Sequence, residues 1–133
     1  MATPNLDGAV AAATHFMALY TYARVSGDPS ALAAMSGPAC STCAAIVDQV
    51  DAARNDGHRA EGYVVTVLDI APIEIVSGES FTVELRLTEG ASVVRDGAGT
   101  VVAETPDTER ILNFGLRWDG DWIVEALGVE AAG

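Results

Sequence analysis

The sequence contains no lysine. Its seven basic residues are all arginine, set against nineteen acids, and the net charge of −12 repels phosphate backbones and anionic lipid headgroups alike. Nucleic acid is therefore not an expected partner. Cysteine is scarce: two residues can form a local link but not the scaffold of a disulfide-dense fold. Beyond them only His15 and His58 could serve zinc, and neither stands at ligand spacing from the cysteines. No apolar run approaches the roughly 18 residues of a membrane-spanning helix. The longest candidate, Val64 to Val76, is interrupted by Asp69, Pro72 and Glu74. Internal repeats, low-complexity blocks and Pro/Gly-rich linkers are missing too, so no solenoid or tandem array is encoded. What remains is 133 residues, 50% of them hydrophobic. A chain of this size buries roughly two thirds of its unfolded surface in one ordinary core.

Helical periodicity fills the first half. From Leu6 to Val25, Leu6, Val10, Ala13, Met17 and Tyr20 recur at spacings of three and four, widened by Phe16, Leu19 and Ala23. Asn5 suits an N-cap and Gly27 a stop. Asp28-Pro29-Ser30 opens a short second helix, Ser30 to Met35, which Gly37-Pro38 ends. A third helix is predicted from about Cys40 to Asn55, with Cys43, Ile46, Val47 and Val50 inward and Asp48, Gln49, Asp51 and Arg54 outward. After Gly62 the period becomes two. Residues 63–70 and 73–76 suit one long strand with a break or bulge at Pro72. Phe81, Val83, Leu85 and Leu87 alternate with Thr82, Glu84, Arg86 and Thr88, giving one buried and one wet face. Val93-Val94 and Val101-Val102 flank the hairpin signal Asp96-Gly97-Ala98-Gly99. Leu112, Phe114, Leu116 and Trp118 form another alternating strand, turned by Asp119-Gly120-Asp121 into a last one, Trp122 to Val129. The expectation is an α+β domain: three N-terminal helices packed on a curved, mainly antiparallel sheet of about five strands, which together make a cone.

Gly8 to Val50, with Phe16, Tyr20 and Tyr22 on a long helix, then Ser26-Gly27-Asp28, Met35-Ser36-Gly37-Pro38 and Cys40-Ser41-Thr42-Cys43, resembles an actinobacterial family of lipoproteins of unknown function. The tail, Leu116-Arg117-Trp118-Asp119-Gly120-Asp121-Trp122-Ile123-Val124, is similar to the closing hairpin of the nuclear-transport-factor-2-like superfamily, whose cones include ketosteroid isomerases and polyketide cyclases. Together the two resemblances cover about residues 6 to 129. They imply a signal peptide and a lipidated cysteine ahead of a Thr/Pro-rich linker, so that residues 1–5 are a residual linker or an expression start, 6–129 the domain and 130–133 a tail. Met1-Ala2-Thr3-Pro4-Asn5 itself has neither a basic n-region nor an apolar h-region. A cytosolic protein would begin this way, and so would a secreted one whose leader has been removed. No catalytic residue comes with the resemblance.

Cys40-x-x-Cys43 admits a redox pair activated by a helix N-terminus, but no strand leads into it and no βαβ pattern surrounds it, as a thioredoxin would require. A disulfide across the first turn of the third helix is the expected state, since a three-residue separation meets the required Cα spacing and suits a secreted compartment. His15 and Tyr20 are the candidates for acid–base work. His15, however, falls beside the apolar stripe, which favours a flank or surface histidine. Phe16, Met17, Tyr20, Phe81, Leu85, Phe114 and Trp118 could line a ligand cavity or fill it. Asp48, Asp51 and Asp56 lack the alternating oxygens and late glutamate of a calcium loop. Gly78-Glu79-Ser80 lacks the context of a nucleophile elbow, and Gly97-Ala98-Gly99 precedes a strand rather than a phosphate-binding helix. No metal and no cofactor is expected. The sequence thus points to a non-catalytic, extracytoplasmic, cell-surface binding or interaction domain. Its partner would be a small apolar ligand or another extracellular protein, and the polar outer sheet face suggests a monomer or weak homodimer. The alternative is a small isomerase- or cyclase-type enzyme with an acid–base group in the cone. A hollow cone would favour the enzyme, a filled one the interaction module.

Overall fold

The computed structural model describes residues 3–131; the linker assignment at Met1 and Ala2 and the tail assignment at Ala132 and Gly133 fall outside them. Three helices come first: α1 (Leu6–Ser26), α2 (Ser30–Met35) and α3 (Ser41–Asn55). The Asn5 side chain accepts from Gly8 N–H at 2.8 Å, satisfying one of the free donors at the start of α1. Gly27 ends it in the left-handed conformation, φ 78°, donating its N–H to Ala23 O, a geometry that favours glycine. Asp28 accepts from both the backbone and the hydroxyl of Ser30, one residue ahead of Pro29, which rather than Asp28 is the N-cap of α2. The buried face of α1 carries Ala9, Ala12, Ala13, Phe16, Met17 and Ala23. Its alanines bring the helix close to the sheet, and Phe16 reaches into it.

The strand count differs from the expectation. Seven strands follow the helices: β1 (Arg59–Glu61), β2 (Val65–Val76), β3 (Ser80–Glu89), β4 (Ser92–Arg95), β5 (Val101–Thr105), β6 (Thr108–Trp118) and β7 (Trp122–Ala131). They form two antiparallel sheets, ordered β2-β3-β6-β7 and β1-β4-β5, not one sheet of about five strands. The reason is local. The predicted hairpin β4–β5 pairs with Arg59-Ala60-Glu61, a segment of three residues whose alternation is too short to read, and leaves the main sheet. Pro72 does not break β2, which runs through it opposite Val83. The bulges lie instead at Val67/Asp69 and Glu74/Val76. An edge strand tolerates proline because its outer N–H groups have no ladder partner to lose.

Residues directly opposite across an antiparallel pair share a face. The register therefore stacks Phe81 on Leu116, Val83 on Phe114 and Leu85 on Leu112, all buried beneath α1, and β7 adds Trp122, Val124 and Leu127. Burying each such side chain stabilises the fold by about 1.5–3 kcal/mol. The outer face presents Glu84, Arg86, Asn113 and Arg117, with exposed pairs Arg86–Glu109 and Arg117–Asp119 that add little stability. The polar outer surface expected from the sequence stops at β2, whose Ile73 faces outward opposite Thr82 and is 58% exposed. At the other edge, Gly37 donates to Val124 O at 2.8 Å. A Cβ there would stand 3.1 Å from that carbonyl oxygen, tight enough that the close approach favours glycine.

Candidate functional site

The interior of the cone is filled. Phe16 meets Phe114 edge to face at 5.6 Å, and Phe81, Trp122 and Trp118 stack in the same manner toward the other end of β3. Of the residues singled out from the sequence, Phe81, Leu85 and Phe114 are packed core, while Trp118 is partly buried against it. Phe16 and Met17 are core as well, and with the partly buried Tyr20 they edge a cavity of about 150 Å3 at the open end of the cone, completed by Ile46, Leu112 and Leu127. His15 is exposed and borders a shallow depression with Leu19, Met35 and Trp122. The structure does not bring it together with Tyr20 in this cavity.

Two residues at this mouth did not emerge from the sequence. The inward series of β3 continues one step past Leu87 to Glu89, and that of β6 begins one step before Leu112 at Arg110, which faces Leu87. Arg110 Nε lies 3.4 Å from Glu89 Oε2, and the Glu89 side chain is 15% exposed. The aliphatic and aromatic wall of this cavity therefore carries an ion pair at its rim. Next to it, Tyr20 and Tyr63 pack edge to face at 5.7 Å, and the Arg24 guanidinium sits 5.6 Å and 5.3 Å from their ring centres. Arg24 also donates to Tyr20 Oη at 3.3 Å. The Tyr63 hydroxyl is buried with no hydrogen-bond partner among the described residues. Burial first, then the neighbouring Tyr20 and Glu89, push its pKa far above the ordinary 10.0, so it remains a neutral phenol.

Cys40 and Cys43 stand at disulfide distance, with Cα atoms 5.3 Å apart, and both are buried. Cys40 is the N-cap of α3, its sulfur accepting from Cys43 N–H at 3.2 Å. The pair lies inside the core cluster, away from any surface a redox substrate could reach. Among the described residues no group of three or more His, Cys, Asp or Glu could hold a metal. No helix there is long and apolar enough to cross a membrane, which says nothing of strands.

Three helices packed on antiparallel sheets, with a filled interior and a small mouth, make an α+β fold of the cystatin-like type. The chain is similar to the intermembrane space region of chloroplast protein ARC6, with a TM-score of 0.74 and 13% identity over 96% of this chain and 98% of that one. It is also similar to an uncharacterized protein with a cystatin-like fold from Caulobacter vibrioides, with a TM-score of 0.59 and 14% identity over 96% and 91% of the two chains. At such identities the likeness concerns the fold alone. Residues 1–127 match the family of unknown function DUF6318, and the chain belongs to that family. No curated protein matches it.

Proposed function

We propose that this chain is a non-catalytic binding or interaction domain working outside the cytoplasm, borne by a cell-surface lipoprotein of the actinobacterial type, and that its cone mouth receives a small apolar group from a ligand or from another extracellular protein. The observation that carries this reading is the packed interior, which leaves about 150 Å3 beside Phe16, Met17 and Ile46. Ligand pockets usually span about 300–1,000 Å3, whereas an apolar cavity of about 150 Å3 holds a benzene-sized guest. The guest is thus one ring or a branched aliphatic group, not a whole steroid, quinone or lipid. An isomerase- or cyclase-type site would need a titratable group inside a cavity that admits the substrate. His15 lies on the surface, and the Glu89 carboxylate is held by Arg110. The extracytoplasmic placement draws support from the Cys40–Cys43 geometry, because reducing compartments disfavour such a bond.

Amide-resolved NMR titration with benzene and with indole tests the binding reading. Saturable shifts at Ile46, Leu112 and Leu127 are expected, and none around His15. If neither compound moves these amides, the mouth is not a receptor. Turnover of a ketosteroid or similar substrate that disappears in His15→Ala would establish the enzyme instead. For the compartment, alkylation and intact mass of unreduced, periplasmically produced protein should find both thiols blocked. Quantitative labelling of Cys40 and Cys43 would remove that argument.

A further inference from the structure

Of the seven arginines, five face a carboxylate: Arg54, Arg86, Arg95, Arg110 and Arg117. Among the described residues Arg24 and Arg59 have none, although the chain carries nineteen acids. Both border the same cavity, about 150 Å3, enclosed by the last turns of α1 and α3 and the β1–β4 pair. Val50, Ala53 and Val94 supply its apolar wall, and Gln49 and His58 add polar atoms. Arg24 has a buried Nε with no hydrogen-bond partner among the described residues, and its Cζ lies 5.6 Å and 5.3 Å from the ring centres of Tyr20 and Tyr63. Arg59 lies over Gly27, where an added Cβ would stand 2.9 Å from Cζ, and spends a single N–H on His58 O. A cation near the end of α1 complements the helix dipole. That effect accounts for one arginine at Ser26, not for two converging on a cavity.

We propose that this cavity, distinct from the cone mouth, binds a small organic monocarboxylate with a short apolar body. Its head group accepts from Arg24 and Arg59, whose planar guanidinium donors match carboxylate geometry. Its body packs on Val50, Ala53 and Val94 in a space that takes one ring. The strongly acidic exterior repels anions at long range, so recognition depends on these short-range donors.

The test is an NMR titration of the whole chain with sodium benzoate, with benzyl alcohol as the uncharged analogue. Benzoate should shift the amides of Ala53, Ala60 and Val94 saturably, and benzyl alcohol should not. Arg59→Gln should weaken benzoate by about tenfold, the scale of one lost charge-assisted hydrogen bond, while leaving indole binding at the cone mouth unchanged. Val94→Phe, which fills the cavity and keeps both arginines, should abolish benzoate binding as well. Three results overturn the proposal: no saturable benzoate shift, an equal response to benzyl alcohol, or undiminished benzoate binding in either variant. In the last case Arg59 serves the helix end alone.

Discussion

Replacing Phe114 with alanine probes whether the cone is filled. Phe114 is 1% exposed, lies opposite Val83 on β3 and meets Phe16 of α1 edge to face at 5.6 Å. It is therefore one of the contacts that hold the long helix on the sheet centre. Its removal loses the transfer energy of the ring, about 2 kcal/mol, and leaves a void of about 100 Å3 that costs roughly another 2.4 kcal/mol at about 24 cal/mol per Å3. The sum, about 4 kcal/mol, lies within the usual Phe→Ala range of about 3–5 and is a large part of the about 5–15 kcal/mol that holds a domain of this kind. Urea denaturation followed by tryptophan fluorescence measures it, with the transition midpoint expected to fall and the slope to stay constant. A double-mutant cycle with Phe16→Ala should return about 0.5–1.5 kcal/mol of coupling, the share belonging to the ring pair itself. A loss below about 1 kcal/mol for Phe114→Ala would mean that its side chain borders open space. The filled-cone reading and the function built on it would then fail together.

Gly27→Ala should destabilise by about 1–2 kcal/mol because φ is positive there, read as a lower melting temperature, and should displace Arg59, whose Cζ the new methyl would contact; an unchanged melting temperature would contradict the left-handed cap. Reducing Cys40–Cys43 should cost only about 1–2 kcal/mol, since the closed loop is short, and calorimetry with and without reductant would show whether the loss is larger and the link global. Tyr63 binds its proton more tightly folded than unfolded, so its contribution is complete below pH 10 and is lost as pH rises beyond it. Ultraviolet titration should show Tyr63 ionising only on unfolding; its ionisation in the folded state would refute its burial. Ile73→Lys should change monomer stability by no more than about 0.5 kcal/mol while lowering association at the β2 edge. Light scattering that finds the same mass distribution in both forms would place any self-association elsewhere.

The helices and the four long strands were legible because each spans several periods of a strong pattern, with stops such as Gly27 and caps such as Asn5 at the right places. The second sheet was not, since Arg59-Ala60-Glu61 offers a single buried position, Ala60, and its pairing with Val93, Val94 and Arg95 is a tertiary fact without local trace. The bulges in β2 escaped for a different reason. Pro72 is the obvious disruptor, yet it sits on the strand edge that donates nothing, whereas the irregularities fall beside Leu68 and Ile75, residues with good strand propensity of their own. At the site, the alternation that marks Leu87 and Leu112 as inward marks Glu89 and Arg110 as inward by the same step of two. A hydrophobic reading stops where hydrophobicity stops, so it ends the strand at the point where the chemistry begins. Two opposite charges one step beyond an apolar face, at the facing ends of adjacent antiparallel strands, are the pattern that places an ion pair at the rim of a cone. Arg24 and Arg59, which face no carboxylate among the described residues, carried no such pattern, because an arginine without an acid beside it can be recognised only after the carboxylate partners of the others are known.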